Sequence, residues 1–247
     1  MVYFVLPVFN EEKNLTRLVK TIHEIAKTVE IQYKIVAVDD YSQDQSIQTL
    51  KELSKDFPIE LVQHSKNQGP GGAFQTGFDH VLTKANPSDM IITMDADNTH
   101  STKTVGMIIS SLQEGYEMVI ASIFAPGGML IGLPWLRYIL TMSCNFIYQV
   151  LFPIRGIKEY TGFYRGYRVD MLLLAKQKLG GKLMTVSGFA SMAELLIRLR
   201  RIPVFMKEVP MIVRYDEKGG KSKLRVWKTI CEHLYVIREN IFKRNVL

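Results

Sequence analysis

The chain has 247 residues and a formal net charge of +7. Hydrophobic residues make up 47% and charged residues 22%, which allows a sizeable core and excludes a disordered tail or a low-complexity fibre. Two cysteines, Cys144 and Cys231, cannot make a disulfide framework, so a reducing compartment, the cytoplasm, is the default expectation.

Val2–Phe9 is a continuous apolar run, as expected of a strand buried on both faces. Residues 11–29 then place Leu15, Leu18, Val19, Ile22, Ile25, Ala26 and Val29 at helical spacing. Lys34–Val38 reads as a second strand ending in Asp39-Asp40, followed by a helix over Gln45–Asp56 and a third strand over Ile59–Gln63. Gly69-Pro70-Gly71-Gly72 opens a helix to Ala85, and Met90–Met94 is a fourth strand ending in Asp95-Ala96-Asp97. Thr102–Gln113 is helical and Met118–Ser122 is a fifth strand. Alternating strands and helices with short connections imply an α/β fold with a parallel sheet and right-handed crossovers. Ligands of such sheets lie beyond the carboxyl ends of the strands. Three strand ends here are polar: Asn10-Glu11-Glu12, Asp39-Asp40 and Asp95-Ala96-Asp97. They are expected to converge on one crevice. No repeat or linker divides the chain, which reads as one domain over 1–213 with an extension over 214–247.

Met118–Ile154 contains one charge, Arg137, and its last 17 residues are uncharged. That is shorter than the roughly 20 residues that span a bilayer. The stretch reads either as an interfacial amphipathic helix or as an ordinary core helix. Arg214–Leu247 holds 9 basic and 4 acidic residues, a patch that attracts nucleotide or anionic lipid. Nucleic acid is disfavoured as a partner, because zinc-finger spacing and an RNP-type aromatic motif are both missing. Lys218-Gly219-Gly220-Lys221-Ser222-Lys223 suits a lid over phosphates or a solvated loop. The last helix carries Leu224, Trp227, Ile230, Leu234, Ile237 and Ile241 on one stripe, to pack on the domain or lie on an anionic membrane.

Asp95 and Asp97, spaced i and i+2 at a strand end, can approach one hard cation. Mg²⁺ or Mn²⁺ held this way fills its other positions with water and diphosphate oxygens. The alternative is a solvated turn. Asp40 can accept a base N–H or a ribose hydroxyl, or cap the following helix. The glycines at 69–72 lack a P-loop ending, and no G-x-G-x-x-G follows the first strand. They permit a tight turn, and close approach to a ligand is open to them. The five histidines show no ligand spacing, and no G-x-S-x-G elbow exists.

In order, Leu6-Pro7-Val8-Phe9-Asn10-Glu11-Glu12, Val38-Asp39-Asp40-Tyr41-Ser42, Asn67-Gln68-Gly69 and Met94-Asp95-Ala96-Asp97 resemble family-two glycosyltransferases of the GT-A fold. The likeness is strongest to dolichol- or polyprenyl-phosphate sugar synthases. Pro134-Trp135-Leu136-Arg137, Glu159-Tyr160-Thr161-Gly162-Phe163-Tyr164-Arg165, Met192-Ala193-Glu194-Leu195, Glu208-Val209-Pro210 and Gly220-Lys221-Ser222-Lys223 extend it over nearly the whole chain. The resemblance implies a Rossmann-like, mostly parallel sheet flanked by helices, with an amphipathic C-terminal helix. It implies that Pro7, Phe9 and Glu11 line a nucleotide pocket, that Val38 and Asp40 flank the base, and that Asp95 and Asp97 hold Mg²⁺ or Mn²⁺ with backbone from Ala96. Lys223 would reach the diphosphate, with Lys218 or Arg214 standing in for a lid arginine that is out of register. Arg137 would meet the acceptor phosphate.

The implied reaction is inverting transfer of a hexose from a GDP-mannose or UDP-glucose class donor to a polyprenyl or dolichyl phosphate. The protein would sit peripherally on the cytoplasmic membrane face; oligomeric state is not indicated. Were the acceptor a saccharide hydroxyl, Glu194 would be the base. Departures from the family pattern are Asn98-Thr99-His100 for Leu-Gln-His, Ile123 for a phosphate-binding arginine, and Glu159 for aspartate. Two rival readings are a D-x-D-x-T phosphatase of haloacid-dehalogenase type with Asp95 as nucleophile, and a non-catalytic nucleotide-binding module.

Overall fold

The first strand, β1 (Val2–Val8), explains its unbroken apolar run in the computed structural model, which describes residues 1–99, 101, 103–217 and 225–241. Alternate side chains leave a strand on opposite faces. Phe4, Leu6 and Val8 enter a core with Leu18 and Ile22 of α1 (Glu12–Thr28), Leu50 of α2 (Ser46–Leu53) and Ile108 of α4 (Lys103–Gln113). Tyr3 and Val5 enter a second core with Phe74 and Phe78 of α3 (Gly69–Leu82). Helices therefore cover both faces of the sheet, and every residue of β1 but Pro7 near its carboxyl end is buried.

Six of the seven strands of the main sheet run parallel to one another. β2 (Tyr33–Asp39), β3 (Ile59–Gln63), β4 (Met90–Thr93) and β5 (Met118–Ser122) are the strands expected from the apolar runs. With β7 (Arg165–Arg168) and β8 (Met206–Pro210) they give the order β3-β2-β1-β4-β7-β5-β8. β7 is antiparallel to both β4 and β5, so the sheet is mostly parallel, as the resemblance implies, with one reversed strand. It admits α4 closely: a Cβ on Gly166 would stand 2.2 Å from Ile108 Cγ2. Its first residue, Arg165, is fully buried, and its guanidinium donates to the carbonyls of Met192 and Tyr160. A second, two-stranded sheet pairs β6 (Met129–Ile131) with β9 (Ile212–Arg214) in parallel.

The second half of the chain adds α5 (Trp135–Leu151), α6 (Val169–Lys178), α7 (Ser191–Leu199) and α8 (Val226–Ile241). All but one residue of α7 are buried, and it anchors the core on the α3 side. α5 behaves oppositely. Only Asn145 and Tyr148 are buried, whereas Trp135, Leu136, Ile139, Phe146, Ile147 and Val150 are exposed along one stripe. α8 likewise buries Val236 and Asn240 and exposes Trp227, Leu234 and Ile241. The two helices meet where the Tyr148 hydroxyl lies 2.8 Å from His233 Nδ1. Burial raises the Tyr148 pKa and lowers that of His233 to about 4, so a protonated phenol meets a neutral imidazole. Among the described residues no helix is long and apolar enough to cross a membrane.

Candidate active site

The strand order places β2, β1 and β4 side by side and parallel. Their carboxyl ends are the three polar tips identified in the sequence. Neighbouring strands lie roughly 5 Å apart, so the tips occupy one edge about 10 Å wide. The chain runs from β1 to β2 and β3 on one side and then crosses back to β4 on the other side of β1, which makes this edge a topological switch point.

Turns at the edge are fixed by local hydrogen bonds. β1 ends at Val8 because Asn10 takes a positive φ of 53° and redirects the chain. Ser42 and Ser46 hydroxyls accept the backbone N–H groups of Asn10 and Glu11, at 2.9 and 2.8 Å. Glu11 Oε2 accepts from the Asn14 amide at 2.6 Å, and the Asn98 amide donates to the Asn14 carbonyl at 3.1 Å. This chain of contacts joins the β1 tip to the D-x-D turn. Asn14 was not singled out in the sequence, and Asn98 was noted only as a departure from the family pattern. The available signals were the position of Asn14 three residues after Glu11 and the position of Asn98 in a tight turn, where its φ is 62°.

Asp97 is buried, and its Oδ1 accepts the Thr99 hydroxyl at 2.6 Å and the Thr99 N–H at 3.2 Å. Asp95 is half-buried and Ala96 is buried between them. Among the described residues no three His, Cys, Asp or Glu side chains gather as a cage for a metal ion. Two hard carboxylates at a strand end suit Mg²⁺ or Mn²⁺ that also binds diphosphate oxygens. The residues present therefore fit that cation.

Asp40 is buried and its carboxylate is heavily engaged. Oδ1 accepts from the Gln68 N–H at 2.7 Å and lies 2.8 Å from His64 Nδ1; Oδ2 accepts from the Gly69 N–H at 2.7 Å. The Ser187 carbonyl takes the Gly71 and Gly72 N–H groups. The first turn of α3 is thus capped from within the protein. Its glycines allow close approach of the chain itself: a Cβ on Gly69 would stand 2.6 Å from the Ser187 carbonyl oxygen. Pro7 pairs with Val38 across β1 and β2. The Val38 side chain is buried beneath α3, which leaves its backbone to the edge. Phe9 is half-buried beside the β1 tip.

Glu194 lies in the first turn of α7 and is buried. Its carboxylate accepts the N–H groups of Thr185 and Val186, each at 2.8 Å, and the Thr185 hydroxyl at 2.5 Å. It clamps the loop that caps α3. Glu159 is also buried, and desolvation raises its pKa against the opposing pull of the Gly162 and Thr161 N–H groups. Ile123, where an arginine was expected, packs against the core on the α1 side.

Arg137 stands in the first turn of α5, donates to the Tyr215 hydroxyl, and has its guanidinium carbon 5.8 Å from the Tyr215 ring centroid. Arg214 forms a two-bonded pair with Asp216. Lys218 and Lys223, and with them the basic lid, lie outside the described residues.

Residues 3–173 match the profile of the family described as Glycosyl transferase family 2. A dolichol-phosphate mannosyltransferase of Pyrococcus furiosus is 29% identical over 93% of this chain, which spans only 60% of that relative's length. A polyprenol monophosphomannose synthase of Mycolicibacterium smegmatis is 27% identical over 87% of this chain and 78% of its own. Among solved structures, glucosyl-3-phosphoglycerate synthase from Mycobacterium tuberculosis, crystallised with Mn²⁺, UDP and phosphoglyceric acid, is similar with a TM-score of 0.68. Identity there is 14%, over 100% of this chain and 79% of that one. Mannosyl-3-phosphoglycerate synthase from Rubrobacter xylanophilus gives the same TM-score at 14% identity, over 99% and 73%. These likenesses establish the expected GT-A type of α/β fold. The family profile covers the strands that carry all three polar tips, and this chain belongs to glycosyl transferase family 2.

Proposed function

We propose that this protein is an inverting hexosyltransferase that uses a nucleoside-diphosphate sugar and a polyprenyl phosphate acceptor at a membrane surface. The observation that carries the reading is the setting of Arg137. It lies at the start of a helix whose outward stripe is apolar, and it contacts the segment that joins the D-x-D turn. A cation for the acceptor phosphate, a surface for its lipid tail and the edge expected to hold the donor are therefore contiguous. Peripheral attachment through α5 and α8 follows from the same stripes.

In this reading Pro7, Phe9 and the Val38 backbone receive the nucleoside, Asp40 holds the start of α3 beside it, and Glu11 orients the β1 tip through Asn14. Asp95 and Asp97 would hold Mg²⁺ or Mn²⁺, which supplies positive charge to the diphosphate. Arg137 binds the acceptor phosphate and aims one oxygen at the anomeric carbon, opposite the nucleoside diphosphate. The new C–O bond forms as the bond to the diphosphate oxygen breaks, and its electron pair leaves with the nucleotide. A phosphate monoester is already largely ionised near neutral pH, so no base has to remove a proton. Glu194, held by three donors, then positions the loop between α6 and α7. A saccharide hydroxyl acceptor would instead require Glu194 as base.

Incubating the protein with GDP- and UDP-hexoses, Mn²⁺ and polyprenyl phosphate vesicles tests the reading by mass spectrometry of the lipid. A product heavier by one hexosyl unit is expected. Hexose transferred only to a saccharide, or donor binding without turnover, would overturn it.

A further inference from the structure

We infer that Tyr215 is a positioning residue for Arg137, and that the β6–β9 ribbon ties this pair to the turn bearing Asp97. The inference rests on the proposed role of Arg137 in binding the acceptor phosphate.

An arginine side chain has many rotamers to lose on ordering, so a guanidinium that must meet a phosphate gains from being held beforehand. Tyr215 holds it twice. Its hydroxyl accepts from Nη1, and its ring lies near the guanidinium carbon. The first contact fixes one nitrogen and the second fixes the group over the ring.

The pair meets because of backbone architecture. Met129 pairs with Ile212, Leu130 with Val213 and Ile131 with Arg214. The chain leaves β6 through Gly132 into α5 and leaves β9 into the 3-10 turn Tyr215–Glu217. Gly132 has a φ of 76°, and a Cβ there would stand 2.9 Å from the Asp216 backbone nitrogen, so the two exits touch. On the other side, the Arg214 N–H donates to the Thr99 carbonyl at 3.0 Å, and Thr99 holds Asp97. One ribbon therefore sets the separation between the acceptor arginine and the D-x-D carboxylates.

The test is calorimetric binding of farnesyl phosphate, with farnesol as the phosphate-free control and GDP or UDP with Mn²⁺ as the donor-side control. Tyr215→Phe keeps the ring and removes the acceptor oxygen. It should weaken farnesyl phosphate binding about 5- to 10-fold, the size of one ordinary hydrogen bond. Farnesol binding, nucleotide binding and the thermal midpoint should stay at wild-type values. In an Arg137→Gln background, Tyr215→Phe should have no further effect, since the tyrosine acts through the arginine. Tyr215→Leu, which also removes the ring, is the second variant and should lose at least as much. An unchanged affinity in both tyrosine variants, or losses that multiply in the double variant, would overturn the inference alone. If Arg137→Gln leaves farnesyl phosphate affinity unchanged, or the wild type does not bind it, the acceptor role of Arg137 falls as well.

Discussion

Replacing Asp40 by asparagine tests how the nucleotide edge is held together. The carboxylate presents two oxygens to three donors: the N–H groups of Gln68 and Gly69, and His64. Asparagine offers one oxygen, and its NH₂ must face a backbone N–H that then has no acceptor. Asp40 is only 3% exposed, so water cannot take over. Leaving one buried donor unsatisfied costs about 1–3 kcal/mol, and the remaining bonds lose their charge assistance. A total of about 3 kcal/mol is expected, which lowers the thermal midpoint of a chain this size by about 9 °C. Urea unfolding followed by circular dichroism reads the loss as a shifted midpoint at unchanged slope. His64→Gln should lose less, because both backbone N–H groups keep the carboxylate. An Asp40→Asn midpoint within about 2 °C of wild type, a shift worth less than about 1 kcal/mol, would refute the capping account.

Three further predictions concern the interface, the helix contact and the D-x-D turn. Phe146→Asp removes a large side chain from the outward stripe of α5 and should weaken sedimentation with anionic vesicles at least tenfold, from about 1.5–3 kcal/mol of lost apolar burial, without lowering stability; unchanged sedimentation would rule out α5 as the attachment face. His233, with its folded pKa lowered to about 4, destabilises the fold as pH falls from 6.5 toward 4, because the unfolded chain takes up the proton first. The loss is about 3 kcal/mol at most. The raised pKa of buried Glu159 has the opposite sign: its contribution is present at low pH and is lost as pH rises. Urea midpoints of wild type and His233→Gln isolate the histidine; the variant should fall less on acidification, and parallel curves would contradict the assignment. Thr99→Val removes the hydroxyl that holds Asp97 Oδ1 and should lower affinity for the Mn²⁺–nucleotide complex about tenfold; equal affinity would show that the hydroxyl does not set the carboxylate.

The first half of the fold was legible because β1, β2, β4 and β5 are buried on both faces and α1 to α4 carry strict apolar spacing. β7 was not. Arg165-Gly166-Tyr167-Arg168 is short and charged at both ends, and Arg165 is buried only because the carbonyls of Met192 and Tyr160 receive its guanidinium. α5 showed an apolar stripe, but periodicity cannot say whether a stripe faces core or solvent. Here it faces outward, and the side carrying Asn145 and Tyr148 faces in. In α8 too, Trp227, Leu234 and Ile241 of the expected stripe are exposed, and Val236 packs on the core together with Ile237 of that stripe. At the site, strand ends located Glu11, Asp40 and Asp97 on one edge, since chain order and crossover rules fix which ends are neighbours. The partners of those carboxylates, Asn14, Thr99, His64 and the loop N–H groups, come from turns whose geometry no spacing encodes.

The central claim is that Asp95 and Asp97 serve a cation shared with the donor diphosphate. Titration calorimetry of GDP and UDP, with Mn²⁺ and with chelator, against wild type and Asp97→Asn, measures it directly. Binding by the wild type that needs Mn²⁺, and its loss in a variant that unfolds at the wild-type midpoint, is the predicted result. Nucleotide binding indifferent both to the metal and to residue 97 would contradict it.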